Sequence, residues 1–175
     1  MWVFAPSEIA QISMKIEENG MAFYKAIAAG AKEKEAKELF NFMAGEEAEH
    51  YQTFKALSDK LKGCDMPTLD KDQEEFMRQL ANNNVFAVEC DVDKYAKSVK
   101  STEEAINLSL GFEMDSVMFY LQFMKMVPDK VQPEIDAIIE EEQKHYQKLL
   151  AIKKMYTGTR QEFYIPKGGP GDAEI

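Results

Sequence analysis

The chain has 175 residues, 45% of them hydrophobic, and a formal net charge of −10 at pH 7. That length suits one domain with a sizeable core, the composition excludes a disordered chain, and the negative charge argues against nucleic acid or an anionic membrane as partner. Two cysteines, Cys64 and Cys90, exclude a multi-disulfide scaffold, a four-cysteine zinc site and a CxxC redox pair.

The helical period runs through nearly the whole chain. Pro6 and Ser7 open a first helix, with Ser7 at the N-cap position. Ile9, Ile12, Ile16, Phe23 and Ile27 recur at helical spacing, and Gly30 closes it. A second helix over residues 33–62 carries Leu39, Phe42, Met43, Phe54, Leu57 and Leu61, and Gly63 follows where helices stop. Residues 64–101 are patterned more weakly, with short helices expected at 72–80 and 94–99. The sequence S-T-E-E at 101–104 is a capping box that opens a third long helix, ending before Pro128. Pro133 suits the first turn of a fourth, which Thr157-Gly158 ends. Residues 161–175 read as a tail with poor prospects of order.

The predicted architecture is all-α: a four-helix bundle over residues 1–160, made of two helical hairpins joined by a long crossover. Short links make the helices of each hairpin antiparallel. A helix of about 25 residues is roughly 37 Å long, and the stretch 64–101 is long enough to return along it. The longest apolar run, around residues 117–126, is broken by Gln122 and Lys125 and is too short to span a bilayer. The opening MWVFAPSEIA has no basic stretch followed by an apolar one, which speaks against a secretory leader. With so few cysteines, the expected location is cytoplasmic.

An internal repeat carries the chemistry. Glu17 to Tyr24 and Glu113 to Tyr120 both read E-x-x-x-x-x-F-Y, at an offset of 96. Glu47 to Tyr51 and Glu142 to Tyr146 both read E-x-x-H-Y, at an offset of 95. The protein has two histidines, His50 and His145, and both stand in this motif. Taken singly, each E-x-x-H reads as solvated surface, because 21 of 175 residues are Glu. The coincidence of both motifs, in the same order, on four separate helices decides for a metal site. Residues three apart share a helix face, so Glu47 with His50, and Glu142 with His145, can each approach one ion. Tyr24 and Tyr120 lie two turns from Glu17 and Glu113 on the same faces.

Four ionised carboxylates balance two divalent cations, whereas buried carboxylates without them would be costly. Glu47 and Glu142 are expected to bridge the ions, with one His and one further Glu on each. Mixed carboxylate and imidazole ligation suits iron or manganese. Zinc is the less apt alternative, since it usually takes four ligands, fewer of them carboxylates. Glu18, Glu46, Glu49, Glu140 and Glu141 read as solvated neighbours. The Met-rich stretch at 114–126 reads as core or a dimer face.

Two copies of a Glu helix followed by a Glu-x-x-His helix are the ligand arrangement of ferritin-like di-iron and di-manganese proteins. Within them, I-E-E-N-G-M-A-F-Y and E-E-A-E-H make the chain resemble the rubrerythrin branch of that superfamily, over residues 7–156. The resemblance implies two iron ions held by Glu17, Glu47, His50, Glu113, Glu142 and His145. It implies that Tyr24 and Tyr120 hydrogen-bond the ligand carboxylates, and that the protein is a homodimer. The implied activity is reduction of hydrogen peroxide or oxygen, as a peroxidase in oxidative-stress defence. Two departures matter. The tail lacks the paired CxxC motifs of a rubredoxin domain, so electrons would come from a separate donor such as a rubredoxin-like protein. An extra carboxylate expected three residues after Glu113 is replaced by Ser116, whose repeat counterpart is Gly20. These small residues are expected to leave space for oxygen, peroxide or water, so that Gly20→Leu slows oxidant access with metal content intact. Alternative readings are a ferroxidase or iron-handling protein, and a non-enzymatic, metal-stabilised binding bundle.

Overall fold

The computed structural model describes residues 5–64, 71–83 and 92–157, and every regular element among them is helical. In chain order these are α1 (Pro6–Gly30), α2 (Lys34–Leu61), α3 (Lys71–Asn83), α4 (Val92–Ser98), α5 (Thr102–Met124), a 3₁₀ turn at Asp129–Val131, and α6 (Gln132–Thr157). The expected tail at 161–175, the Gly158 stop and Cys90 lie outside the described residues.

The helix limits have local causes. Pro6 takes the first helical position, where its missing N–H costs nothing, so α1 starts one residue before the expected cap. Ala5 becomes the cap, and Glu8 Oε2 accepts its backbone N–H at 2.7 Å. Gly63 follows α2 with φ of +76°, a backbone region that side chains with a Cβ rarely enter. Ser101 caps α5 as expected: its Oγ accepts from the Glu104 N–H at 3.1 Å, while Glu104 Oε2 reaches back to the Lys100 N–H.

α1 packs along α2, and α5 along α6, while α1–α5 and α2–α6 contacts join the hairpins. The crossover helices lie against both halves, α4 on α1 and α3 on α5. Thr102 Oγ1 donates to Glu33 Oε2 at 2.7 Å, which ties the start of α5 to the start of α2. Ile9, Phe23, Phe40, Phe54, Leu57, Phe119 and Phe123 form the core. The buried Ser13 and Ser109 hydroxyls donate to carbonyls four residues back, so neither is unpaired. The Met-rich stretch divides: Met126 is buried, whereas Met114 and Met118 face outward. Phe42, expected in the apolar stripe of α2, is 42% exposed. It packs edge-on against His145 from outside, under the Lys148 ammonium. No helix among the described residues is long and apolar enough to cross a membrane.

Candidate metal centre

All six expected ligands are buried in the middle of the bundle. α1 brings Glu17, α2 brings Glu47 and His50, α5 brings Glu113, and α6 brings Glu142 and His145. Their donor atoms form two groups, Glu17–Glu47–His50–Glu142 and Glu47–Glu113–Glu142–His145, each with its atoms within 4.8 Å of one another. Glu47 and Glu142 stand in both groups, where bridging ligands belong. Within the groups, His50 Nδ1 lies 3.0 Å from Glu142 Oε1 and 3.6 Å from Glu17 Oε2. His145 Nδ1 lies 3.4 Å from both Glu113 Oε2 and Glu142 Oε2.

These inward atoms lack partners. Glu17 Oε2, His50 Nδ1, Glu113 Oε2, Glu142 Oε1 and His145 Nδ1 are fully buried without a hydrogen bond among the described residues. Orphaned buried polar atoms are rare and costly. Five of them converging on one volume are accounted for by cations, and the set of oxygen and imidazole nitrogen donors suits them chemically. The residues therefore fit a dinuclear metal site.

The remaining atoms of the ligands are held by their surroundings. Tyr24 donates its hydroxyl to Glu113 Oε1, and Tyr120 donates to Glu17 Oε1. Each tyrosine thus holds a carboxylate of the other hairpin and leaves the second oxygen, Oε2, pointing inward. Burial raises both phenols well above their usual range, and the nearby carboxylates reinforce this, so both remain protonated donors. Tyr24 stacks on Phe40, and Tyr120 lies 4.8 Å from the Phe54 ring.

The two imidazoles are backed differently. His50 Nε2 donates to Glu141 Oε2 at 2.8 Å, which orients the ring with Nδ1 inward. The corresponding acid for His145 is Glu46, but its Oε2 stands 4.0 Å away and Nε2 has no hydrogen bond among the described residues. Glu141, expected to be merely solvated, is 45% exposed and also orients a ligand. Its place beside Glu142 in an acidic run hid that role, and its only signal in the sequence is a second acid on the turn facing the other E-x-x-H helix.

Without cations the cluster traps protons. Burial alone would lower the His50 pKa, but contacts with Glu142 and Glu17 push it up to about 12. His145 is opposed by burial in the same way and raised to about 9 by Glu113 and Glu142. Burial and neighbouring carboxylates raise Glu47 and Glu113. Burial also works to raise Glu142, yet its contacts with Glu113, His145 and His50 hold it below the usual carboxylate range.

Beside the site is a cavity of about 10 Å³ bounded by Gly20, Tyr24, Glu47, Glu113 and Ser116. The small residues do leave space, of about one water molecule. The expected effect of Gly20→Leu needs correction, however. A Cβ on Gly20 would already touch Glu47 Cδ and Oε2 at 3.4 Å, and the cavity has no room for three further carbons. Gly20→Leu is therefore expected to displace Glu47 and lower the metal-to-protein ratio, with an overpacking cost of about 1–3 kcal/mol. Gly20→Ala, an ordinary contact, should retain the metal. Elemental analysis of both variants checks this, and a fully loaded Leu variant would refute it.

A family model described as rubrerythrin matches residues 8–153. No curated protein matches the chain. The fold is similar to that of a Thermotoga maritima protein described as a ferritin-like diiron-carboxylate protein, with a TM-score of 0.66 and 22% identity, over 88% of this chain and 97% of that one. With two hairpins converging on one carboxylate–imidazole cluster and the family match spanning nearly the whole bundle, the chain belongs to the rubrerythrin family.

Proposed function

We propose that the protein holds a pair of iron ions and reduces hydrogen peroxide to water with electrons from a separate donor protein. The observation that carries this reading is the sharing of Glu47 and Glu142 between two donor groups, which supports a pair of cations side by side. When bound, such a pair supplies one electron per ion, so H₂O₂ + 2 e⁻ + 2 H⁺ → 2 H₂O is complete in one encounter.

The residues of the chain set the conditions for that chemistry. Tyr24 and Tyr120 hold Glu113 and Glu17 by one oxygen each, so their carboxylates cannot swing freely. Glu141 accepts from His50 Nε2, which aims Nδ1 at the cluster, and leads from the buried imidazole towards solvent. The aromatic layer of Phe40, Phe54, Phe119 and Phe123 keeps bulk water away from the cluster. An acidic chain with a net charge of −10 favours uptake of cations at such a site.

The test is single-turnover oxidation of the reduced, iron-loaded protein. One peroxide consumed per pair of ions, faster than with oxygen at equal concentration, is the expected result. No reaction with peroxide would overturn the proposal, and rapid turnover of ferrous ion with oxygen alone would replace it with a ferroxidase.

A further inference from the structure

Resting on the metal reading above, we propose that a groove between α5 and α6 is the entry route of a small, neutral molecule to the centre, with Glu113 as the wall between groove and site. The groove encloses about 230 Å³ and is lined by Glu113, Met114, Val117, Gln143, Tyr146 and Gln147. Met114, at 45% exposure, marks its mouth, and the buried Glu113 marks its floor.

Glu113 also lines the water-sized cavity bounded by Gly20, Glu47 and Ser116. Glu113 is the one residue common to both linings. Its Oε1 is held by Tyr24, whereas its Oε2 has no hydrogen bond among the described residues. The two spaces thus meet at this one carboxylate, beside the other metal ligands.

The lining states what can pass. Apart from Glu113 it carries no charged side chain, although the chain as a whole is strongly acidic. A thioether, a valine, a phenol and two amides include no cationic group, so an entering anion gains no opposite charge against its desolvation, whereas a neutral molecule can exchange hydrogen bonds with the phenol and amides. The inner cavity admits about one water molecule, which limits the traveller to the size of water, hydrogen peroxide or dioxygen. The groove therefore selects a neutral oxidant by charge and size before it reaches the metals.

Nitric oxide, neutral and of that size, is the probe. Wild-type protein, Met114→Trp, Val117→Phe and the remote control Met155→Trp are loaded with ferrous or cobaltous ion, and nitric oxide association is followed by stopped flow. Met114 is exposed, so its replacement is expected to leave metal content and melting temperature unchanged. Association should slow by about tenfold in the two groove variants, which corresponds to about 1.4 kcal/mol on the barrier, and stay at the wild-type rate in Met155→Trp. Groove variants as fast as the control would overturn the route, as would equal slowing in the control. Uptake of neither ion would overturn the metal reading and this one with it. A wild-type protein that binds nitric oxide through the groove, yet ignores peroxide, would overturn only the peroxidase.

Discussion

Glu142→Ala is expected to lose both metal ions, whereas Glu17→Ala should lose one. The difference follows from the site's construction. Glu142 contributes to both donor groups, as Glu47 does, while Glu17 belongs only to the half with His50 and Glu113 only to the half with His145. Glu142 is also the acid nearest His50 Nδ1 and one of two equally near His145 Nδ1, so its removal leaves two buried imidazoles without their common partner. Breaking such a buried pair costs about 3–5 kcal/mol. Loss of the bound ions removes further stabilisation, about 4 kcal/mol for a ligand present at a thousand times its dissociation constant. Metal-to-protein ratios and thermal unfolding with and without added metal measure both effects. A Glu142→Ala protein that keeps one ion per chain, as the Glu17 variant does, would refute the shared-ligand arrangement.

The second large effect is an inverted pH dependence of the metal-stripped protein. His145 has its pKa raised to about 9 in the fold and His50 to about 12. Glu47 and Glu113 are also raised. Each of these groups holds its proton in the folded state at a pH where the unfolded chain has released it. Their stabilisation is therefore complete below the unfolded pKa, near 6.5 for histidine, and is lost as pH rises through the folded value. Glu142 works the other way, because its depressed pKa costs stability only in acid, below the usual carboxylate range. Between pH 6.5 and 9 the stripped protein should lose on the order of 3 kcal/mol from His145 alone, which lowers its melting temperature by about 10 °C. The loaded protein should not follow, because metal binding expels these protons and tightens as pH rises. Calorimetric scans of both forms at the two pH values are the measurement. A stripped protein at least as stable at pH 9 as at pH 6.5 would show that the cluster does not trap protons as described.

The legibility of this fold rests on particular residues. Gly30, Gly63, Ser101 and Pro133 punctuate the helices, and each acts through its own backbone or side chain within a few residues. The cap of α1 is Ala5 in place of Ser7, because proline at the first helical position outweighs a good capping side chain one residue later. Phe42 was misplaced because its spacing matches the apolar stripe, yet rotation of α2 turns it to the outer edge of His145.

Sequence alone determined which six residues could meet, because the three-residue spacing of Glu47 with His50 and of Glu142 with His145 is fixed by the geometry of a single helix, and the repeat places the other two carboxylates on matching helices. The tertiary structure decided everything that depends on how one helix is turned against another. It paired Glu17 with His50 and Glu113 with His145, and it crossed Tyr24 to Glu113 and Tyr120 to Glu17. It brought Glu141 onto His50 while leaving Glu46 short of His145. A helix's period says which side chains share a face, but the rotation and height of each helix in the bundle come from packing among residues far apart in the chain, where a shift of one turn would exchange every one of these partners.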